Sequence, residues 1–511
     1  MNYTFNYKEW LSLTRLCDLA VNNYSVSFDE ETKGIVNKSR QRLDEYVNEG
    51  RIIYGVNTSM GGLVNWLVPV EHAQRLQENL INAVATNVGS YLDDTSVRAI
   101  MLSRINSLCK GNSAITLKNL EVLTSVYNSG IVPCIPEQGS LGTSGDLGPL
   151  ACIALVCCGQ WKARFKGEII PASRALQIAG IEPAKLSYKE GLALVNGTSG
   201  MTGLGCLILA DASNLLEKYY KITALSFQGL AAIKKPFDPK VHMLKPHLGQ
   251  QTVAKKIYNL ILDSRLMVEE SETERAIFSE ADGSIKPSTR QIEDAYSIRC
   301  TPQILGPILD SLEYNIQVLE NELNSSNDNP LILPDESDIY HNGHFHGQYV
   351  AMSMDILSIA MTTLCNLSNR RIDRFLDKSN SNGLPPFLCN SDVGLRLGLM
   401  GGQFMTASIT AENRSLCVPL SIQSLTSTAD FQDIVSFGLV AARRSKQILK
   451  NTKYVIAFEL ICACQAIEIR GLSKISPQTK DLFDAVREII PFLDQDITIT
   501  DYIENIVEKI L

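Results

Sequence analysis

The stretch Leu204-Gly205-Cys206-Leu207-Ile208-Leu209-Ala210-Asp211-Ala212-Ser213-Asn214-Leu215-Leu216-Glu217-Lys218-Tyr219-Tyr220-Lys221-Ile222 sets Leu204, Ile208, Ala212, Leu215, Tyr219 and Ile222 at three- and four-residue steps. Side chains so spaced share one face of a helix, which predicts a long helix with a core-facing stripe. Ile308, Leu312, Ile316, Leu319 and Leu323 repeat the pattern, and between Gly347 and Phe375 apolar residues lie on nearly every face, as in a helix surrounded by other helices. Period-two patterns are few and short, the clearest running from Trp161 to Ile170 around the turn at Lys166-Gly167. The expected fold is mainly α, a long-helix bundle with a small β element.

Composition agrees with a globular protein. The 511 residues are 45% hydrophobic and 20% charged, with 47 basic and 55 acidic side chains giving a net charge of -8. Length alone suggests about three domains, yet no repeat, Pro-rich linker or low-complexity tract separates them. The acidic balance offers no footprint for nucleic acid or anionic lipid. Residues 1–10 lack the charged and apolar regions of a secretory signal, so a cytoplasmic location is expected. The most membrane-like stretch, Tyr349 to Leu367, carries Asp355 at its centre and reads as a buried helix. Thirteen cysteines without CxxC spacing are expected to be reduced and mostly buried. Six histidines without carboxylates at ligand spacing give no metal site.

Glycine and asparagine cluster in five loops, 54–62, 139–148, 196–203, 324–330 and 342–347. Such loops on a rigid scaffold let backbone approach a ligand closely. The most informative contains Gly142-Thr143-Ser144-Gly145-Asp146-Leu147-Gly148-Pro149-Leu150. It is neither a Gly-x-Ser-x-Gly elbow nor a nucleotide phosphate loop. Ser144 or Asp146 could simply cap a helix. A Ser-Gly pair in a tight dry turn can do more, because the unshielded Gly145 nitrogen can attack the Thr143 carbonyl carbon and close a five-membered ring. Loss of one water there, and of a second across Cα and Cβ of Ser144, leaves a methylidene conjugated to an imidazolone. That group is an electrophile, which no ordinary side chain provides.

With Tyr54-Gly55-Val56-Asn57-Thr58, Asn196-Gly197-Thr198, Tyr296-Ser297-Ile298-Arg299-Cys300-Thr301-Pro302-Gln303, Asn327-Asp328-Asn329-Pro330, Gly343-His344-Phe345-His346-Gly347 and Gln432-Asp433-Ile434-Val435-Ser436, the chain resembles the aromatic amino acid ammonia-lyase and aminomutase family over most of its length. The resemblance implies a 4-methylideneimidazol-5-one (MIO) group built from Thr143, Ser144 and Gly145, with Thr143 standing where most members have Ala. It implies a homotetramer with active sites shared between subunits, a segment 1–197 carrying the tyrosine and MIO loops, and a segment 198–511 forming the long-helix bundle. Tyr54 would be the catalytic base on a mobile loop, Asn196 and Tyr296 would bond the MIO oxygen and the migrating amine, and Arg299 would clamp the substrate carboxylate. Gln303, Asn329 and Gln432 would be further polar contacts, and Asp146 either handles protons during ring formation or serves as a helix N-terminal carboxylate.

A small aromatic amino acid is the implied substrate. Histidine lyases of the family place Ser-His, and tyrosine lyases His-Leu, where Ala83-Val84 stands, so no side chain there bonds a ring substituent. Leu80, Val84, Leu192, Phe345, Leu397, Phe404 and Phe431 would form an apolar box suited to phenylalanine. Thr58-Ser59-Met60-Gly61-Gly62, Asp430-Phe431-Gln432-Asp433 and Thr428, which replaces the glutamate of plant-type lyases, are similar to the branch that isomerises phenylalanine. The implied activity is 2,3-aminomutation of L-α-phenylalanine to (S)-β-phenylalanine through an MIO-amine adduct and retained cinnamate, as used in antibiotic biosynthesis. Alternatives are an ammonia-lyase releasing cinnamate and ammonia, with phenylalanine or tyrosine as substrate, and a helical structural member that has lost catalysis.

Overall fold

A computed structural model describes residues 2–288, 291–336 and 338–511. The principal helices are α1 (Asp94–Cys109), α2 (Leu147–Cys157), α3 (Ser199–Gly229), α4 (Thr301–Leu323), α5 (Gln348–Leu376), α6 (Met400–Leu416) and α7 (Gly438–Arg470). The apolar stripe from Leu204 to Ile222 lies in α3, and its six residues are all buried. The expected β element is a hairpin of β1 (Lys162–Phe165) and β2 (Glu168–Pro171), paired antiparallel with Phe165 opposite Glu168. Its turn residues Lys166 and Gly167 both have positive φ, the geometry whose twist matches the flanking strands.

Two compact units divide the chain. The first comprises Met1–Ala210, Asn315–Asp355 and Pro419–Arg444, and the second Asp211–Tyr314, Ile356–Val418 and Ser445–Leu511. The change therefore falls inside α3, α4, α5 and α7. The first unit runs on past 197/198 to Ala210, inside α3.

In the first unit α1 is buried on all sides from Ser96 to Cys109. Its two arginines are satisfied internally. Arg98 donates to the Ala20 carbonyl (3.0 Å) and the Tyr127 hydroxyl (2.8 Å), and Arg104 to Asn327 Oδ1 (3.1 Å) and the Ala193 carbonyl. Beside them the fully buried Lys189 and Asp328 form an ion pair of 2.5 Å. Their mutual charge and hydrogen bonding offset the loss of water that isolated charges would suffer.

The second unit has its own buried polar centre. Arg371 and Glu459, both fully buried, pair at 3.2 Å. Glu459 accepts from Tyr219 (2.9 Å) and Ser226 (2.6 Å), while Arg371 donates to the Ser297 carbonyl (2.9 Å) and the Thr301 hydroxyl (2.7 Å). Arg371 thus fixes the turn that carries Arg299. α5 is long and apolar enough to cross a bilayer by composition, but most of its apolar window is buried within the protein. Asp355 is satisfied by the backbone amides of Leu420 and Ser421. All thirteen cysteines are free, most of them buried.

Candidate active site

Ser144 sits where backbone geometry leaves little freedom. Gly145 has φ +73°, and a Cβ there would lie 1.9 Å from the Gly197 carbonyl oxygen, so only glycine fits. Gly142, φ +72°, is equally confined against Ser436 Oγ. The two loops are tied by hydrogen bonds from the Asp146 amide to the Gly197 carbonyl (2.8 Å) and from the Gly197 amide to the Ser144 carbonyl (3.2 Å). Asn196 Nδ2 also donates to the Ser144 carbonyl (3.1 Å), and its own Oδ1 is buried without a partner. On the far side Gln432 Nε2 donates to Ser144 Oγ at 2.9 Å.

These residues fit the ring chemistry. A ring closed between Gly145 N and Thr143 C keeps the Ser144 carbonyl as its exocyclic oxygen. The Asn196 amide and the Gly197 N–H both point at that oxygen, where negative charge would develop once the conjugated group accepts electrons.

Asp146 does not cap its own helix. It precedes α2 without capping it, and its Oδ2 accepts instead from the Met201 amide of α3 (2.6 Å), while Oδ1 accepts from Ser140 (3.2 Å). Complete burial pushes its carboxyl up to about 7, against the downward pull of those hydrogen bonds. A group poised there can exchange a proton near neutrality.

Tyr54 lies in a loop folded back as a hairpin, with Ser59 N donating to the Trp66 carbonyl (2.8 Å) and Val68 N to the Asn57 carbonyl (2.9 Å). Its hydroxyl accepts from the Gly61 amide (3.0 Å) and its own amide donates to His341 Nε2 (3.1 Å). Burial raises the phenol above its ordinary value, and the Gly61 N–H is the one group pulling it down. Within this chain Tyr54 is therefore held as a neutral phenol. Buried Gln77 joins the loop to the helix Glu190–Val195, donating to the Gly55 carbonyl (2.8 Å) and accepting from the Leu192 amide (2.9 Å).

A cavity of about 730 Å³ in the first unit brings Tyr54, Thr143, Ser144, Asn196, Asn329, Phe345, Phe431 and Gln432 together. Leu80, Val84 and Leu192 are not among its lining residues. Leu192 packs under the tyrosine loop, close to Gly55, and the Val84 carbonyl lies against Gly148 at the head of α2. Tyr296, Arg299, Gln303, Leu397 and Phe404 belong to the second unit. There Arg299 pairs with Glu293 (2.8 Å) and lies over the Tyr296 ring, and both Arg299 Nε and Gln303 Oε1 are buried without partners. Tyr296, Leu397 and Phe404 are exposed.

The sequence reading missed Ile52, Val64, Asn65, Leu67, His341, His346 and Ile434, which also line the cavity. Val64 and Leu67 directly follow the tyrosine loop, and two apolar residues in a short connection ending at Pro69 were the available signal. Among the described residues no cluster of three His, Cys, Asp or Glu side chains is arranged for a metal.

The family model for aromatic amino acid lyases matches residues 11–488. A tyrosine ammonia-lyase of Cupriavidus metallidurans is 41% identical over 93% of this chain and 90% of its own length. A tyrosine 2,3-aminomutase of Chondromyces crocatus is 38% identical over 97% and 94%. Among solved structures, a phenylalanine aminomutase of Pantoea agglomerans superposes with a TM-score of 0.97 at 58% identity, covering 100% of this chain and 98% of that one. With these matches spanning nearly the whole chain and Thr143 and Ser144 in the wall of the cavity, the protein is a member of the aromatic amino acid lyase family, an enzyme of its lyase and aminomutase group.

Proposed function

We propose that the enzyme is a cytosolic phenylalanine 2,3-aminomutase, converting L-α-phenylalanine to (S)-β-phenylalanine with an MIO group formed from Thr143, Ser144 and Gly145. When formed, that group supplies the electrophile for the substrate's amine. The chain's own residues supply the rest. Asn196 and the Gly197 N–H hold the Ser144 carbonyl oxygen, Tyr54 Oη takes the β-proton, and the apolar walls exclude water and retain cinnamate while the amine returns at the β-carbon.

The observation that carries this reading is the lining itself. Phe345, Phe431, Val64, Leu67 and Ile434 line the same cavity as Ser144, and the uncharged Thr428 stands where plant-type lyases carry glutamate. The likeness to the Pantoea aminomutase supports the same choice. Incubating the purified protein with L-phenylalanine and separating the products on a chiral column tests it. The expected main product is (S)-β-phenylalanine; mainly free cinnamate and ammonia would overturn the mutase reading in favour of a lyase.

A homotetramer with shared sites belongs to the same proposal. An amino acid substrate needs a cation for its carboxylate, and the described lining holds neither Arg nor Lys. The neutral Tyr54 likewise needs positive charge to become a base. Arg299 contributed by another copy meets both needs. Co-expressing Ser144→Ala with Arg299→Ala chains is then expected to restore a fraction of activity that neither variant has alone, and no restoration would count against sharing.

A further inference from the structure

Gln432 is held from both ends. Its Nε2 donates to Ser144 Oγ at 2.9 Å, while its Oε1 accepts from Thr428 Oγ1 at 2.6 Å and from Ser427 Oγ at 3.2 Å. The turn that brings these hydroxyls round is costly for the backbone. Thr428, Ala429 and Asp430 are three consecutive non-glycine residues with positive φ, +57°, +51° and +64°, in a region that side chains disfavour. The turn is closed by the Ser427 amide donating to the Gln432 carbonyl (2.9 Å) and the Phe431 amide to the Thr428 carbonyl (3.2 Å). It also abuts the tyrosine loop, since a Cβ on Gly62 would lie 2.6 Å from the Thr428 carbonyl oxygen. A backbone held in so unfavourable a form, with its hydroxyls trained on one carboxamide, fixes which end of Gln432 faces Ser144.

We propose that Gln432 promotes maturation of the prosthetic group by hydrogen-bonding the departing Ser144 hydroxyl, and that Thr428 is a positioning residue that aims it. This rests on the MIO reading above and extends it to how the group is made. In ring closure the Gly145 nitrogen bonds to the Thr143 carbonyl carbon. The first water carries away the former Thr143 oxygen with the amide protons of Gly145 and Ser144, leaving a C=N bond. In the second step the Ser144 Cα–H electron pair becomes the Cα=Cβ bond as Cβ–Oγ breaks, and Oγ departs as hydroxide that combines with the Cα proton. No oxidant or reductant enters. An N–H aimed at Oγ stabilises the charge growing on that oxygen, as a donor does in an oxyanion hole.

The test reads the precursor, not turnover. Gln432→Leu, Gln432→Glu, Thr428→Val and Thr428→Ser are purified at several times after induction. Intact mass and the absorbance of the conjugated ring are followed, with circular dichroism as a check on folding. The wild type is expected to have lost two waters. Gln432→Leu and Gln432→Glu are expected to slow loss of the second water by on the order of a hundredfold, so that chains lacking only one water, or none, accumulate. Thr428→Val should slow it several-fold, with Thr428→Ser restoring the wild-type rate.

Folded Gln432→Leu and Gln432→Glu proteins that mature as fast as wild type overturn the proposal. If they fail to fold, the Thr428→Val and Thr428→Ser pair decides, because equal maturation of those two also overturns it. If Gln432 variants stall but Thr428→Val does not, the positioning role of Thr428 is wrong. A wild-type protein that keeps both waters rejects the MIO reading itself.

Discussion

The surroundings of Ser144 in the first unit and those of Arg299 in the second are built in opposite ways. Around Ser144, main chain and side chains close on one another: the carbonyl oxygen takes two donors, Oγ takes the Gln432 amide, and Gly145 has no space for a methyl group. Around Arg299 the support is equally firm, since Arg371 pins Ser297 and Thr301 from below, but the working face is open. Arg299 spends its charge on the exposed Glu293, and Tyr296 is 69% exposed. A reactive group made from the chain itself needs complete local enclosure, because the ring forms only if attacking nitrogen and carbonyl carbon are pressed together. A clamp for an incoming carboxylate needs a rigid base and a free end.

The largest effect that would sharpen this contrast is Ser144→Ala. It removes the atom that leaves to make the methylidene, and activity should fall by on the order of 10^4 or more, with intact mass showing that both waters are never lost. Next comes Arg371→Met. Leaving Glu459 buried without its partner should cost about 3–5 kcal/mol of stability in urea unfolding. Retention of wild-type stability would mean that the buried pair does not hold the Arg299 turn. Arg299→Met should leave folding intact while lowering kcat/KM for phenylalanine by about 3 kcal/mol, roughly a hundredfold; a variant that unfolds would show that Arg299 belongs to the scaffold.

The smallest effect concerns Asp146. Its carboxyl is raised by burial to about 7, so the folded state binds a proton that the unfolded state has lost. The stability this contributes is full below the unfolded value of about 4 and disappears as pH rises through about 7. Between roughly pH 5.5 and pH 7 the wild type should therefore lose about 2 kcal/mol that Asp146→Asn does not. Unfolding midpoints of the two proteins measured across that window check it, and parallel curves would mean that Asp146 is ionised in the folded protein throughout.

Much of this was legible in order along the chain. The three- and four-residue steps from Leu204 to Ile222 and from Ile308 to Leu323 gave helices because period is local, and Lys166-Gly167 gave a hairpin because turn chemistry is local. The Thr143-Ser144-Gly145 loop stood out for the same reason. Asp146 did not: its sequence neighbours suggest a cap on α2, whereas its Oδ2 accepts from the Met201 amide of α3, more than fifty residues on. The roles of Thr428 and Gln432 were equally hidden, since they depend on a turn of unfavourable backbone that no propensity would assign to Thr, Ala and Asp in succession. Leu80, Val84 and Leu192 read as one apolar box with Phe345 and Phe431; within one chain the cavity wall includes the two phenylalanines, and Leu192 packs close to Gly55 of the tyrosine loop.

Beyond the family, which its motifs resemble, residue order alone is enough for the helical class, the hairpin and the glycine whose φ permits ring closure. Those follow from periodicity, side-chain volume and residue type, which act over a few bonds. The folded arrangement is what settles which donors reach the Ser144 carbonyl and hydroxyl, that Tyr54 is held neutral, that Asp146 sits near 7, and that Arg299 belongs to a different compact unit from Ser144. Those depend on burial and on distances between residues far apart in the chain, and both exist only once it has folded.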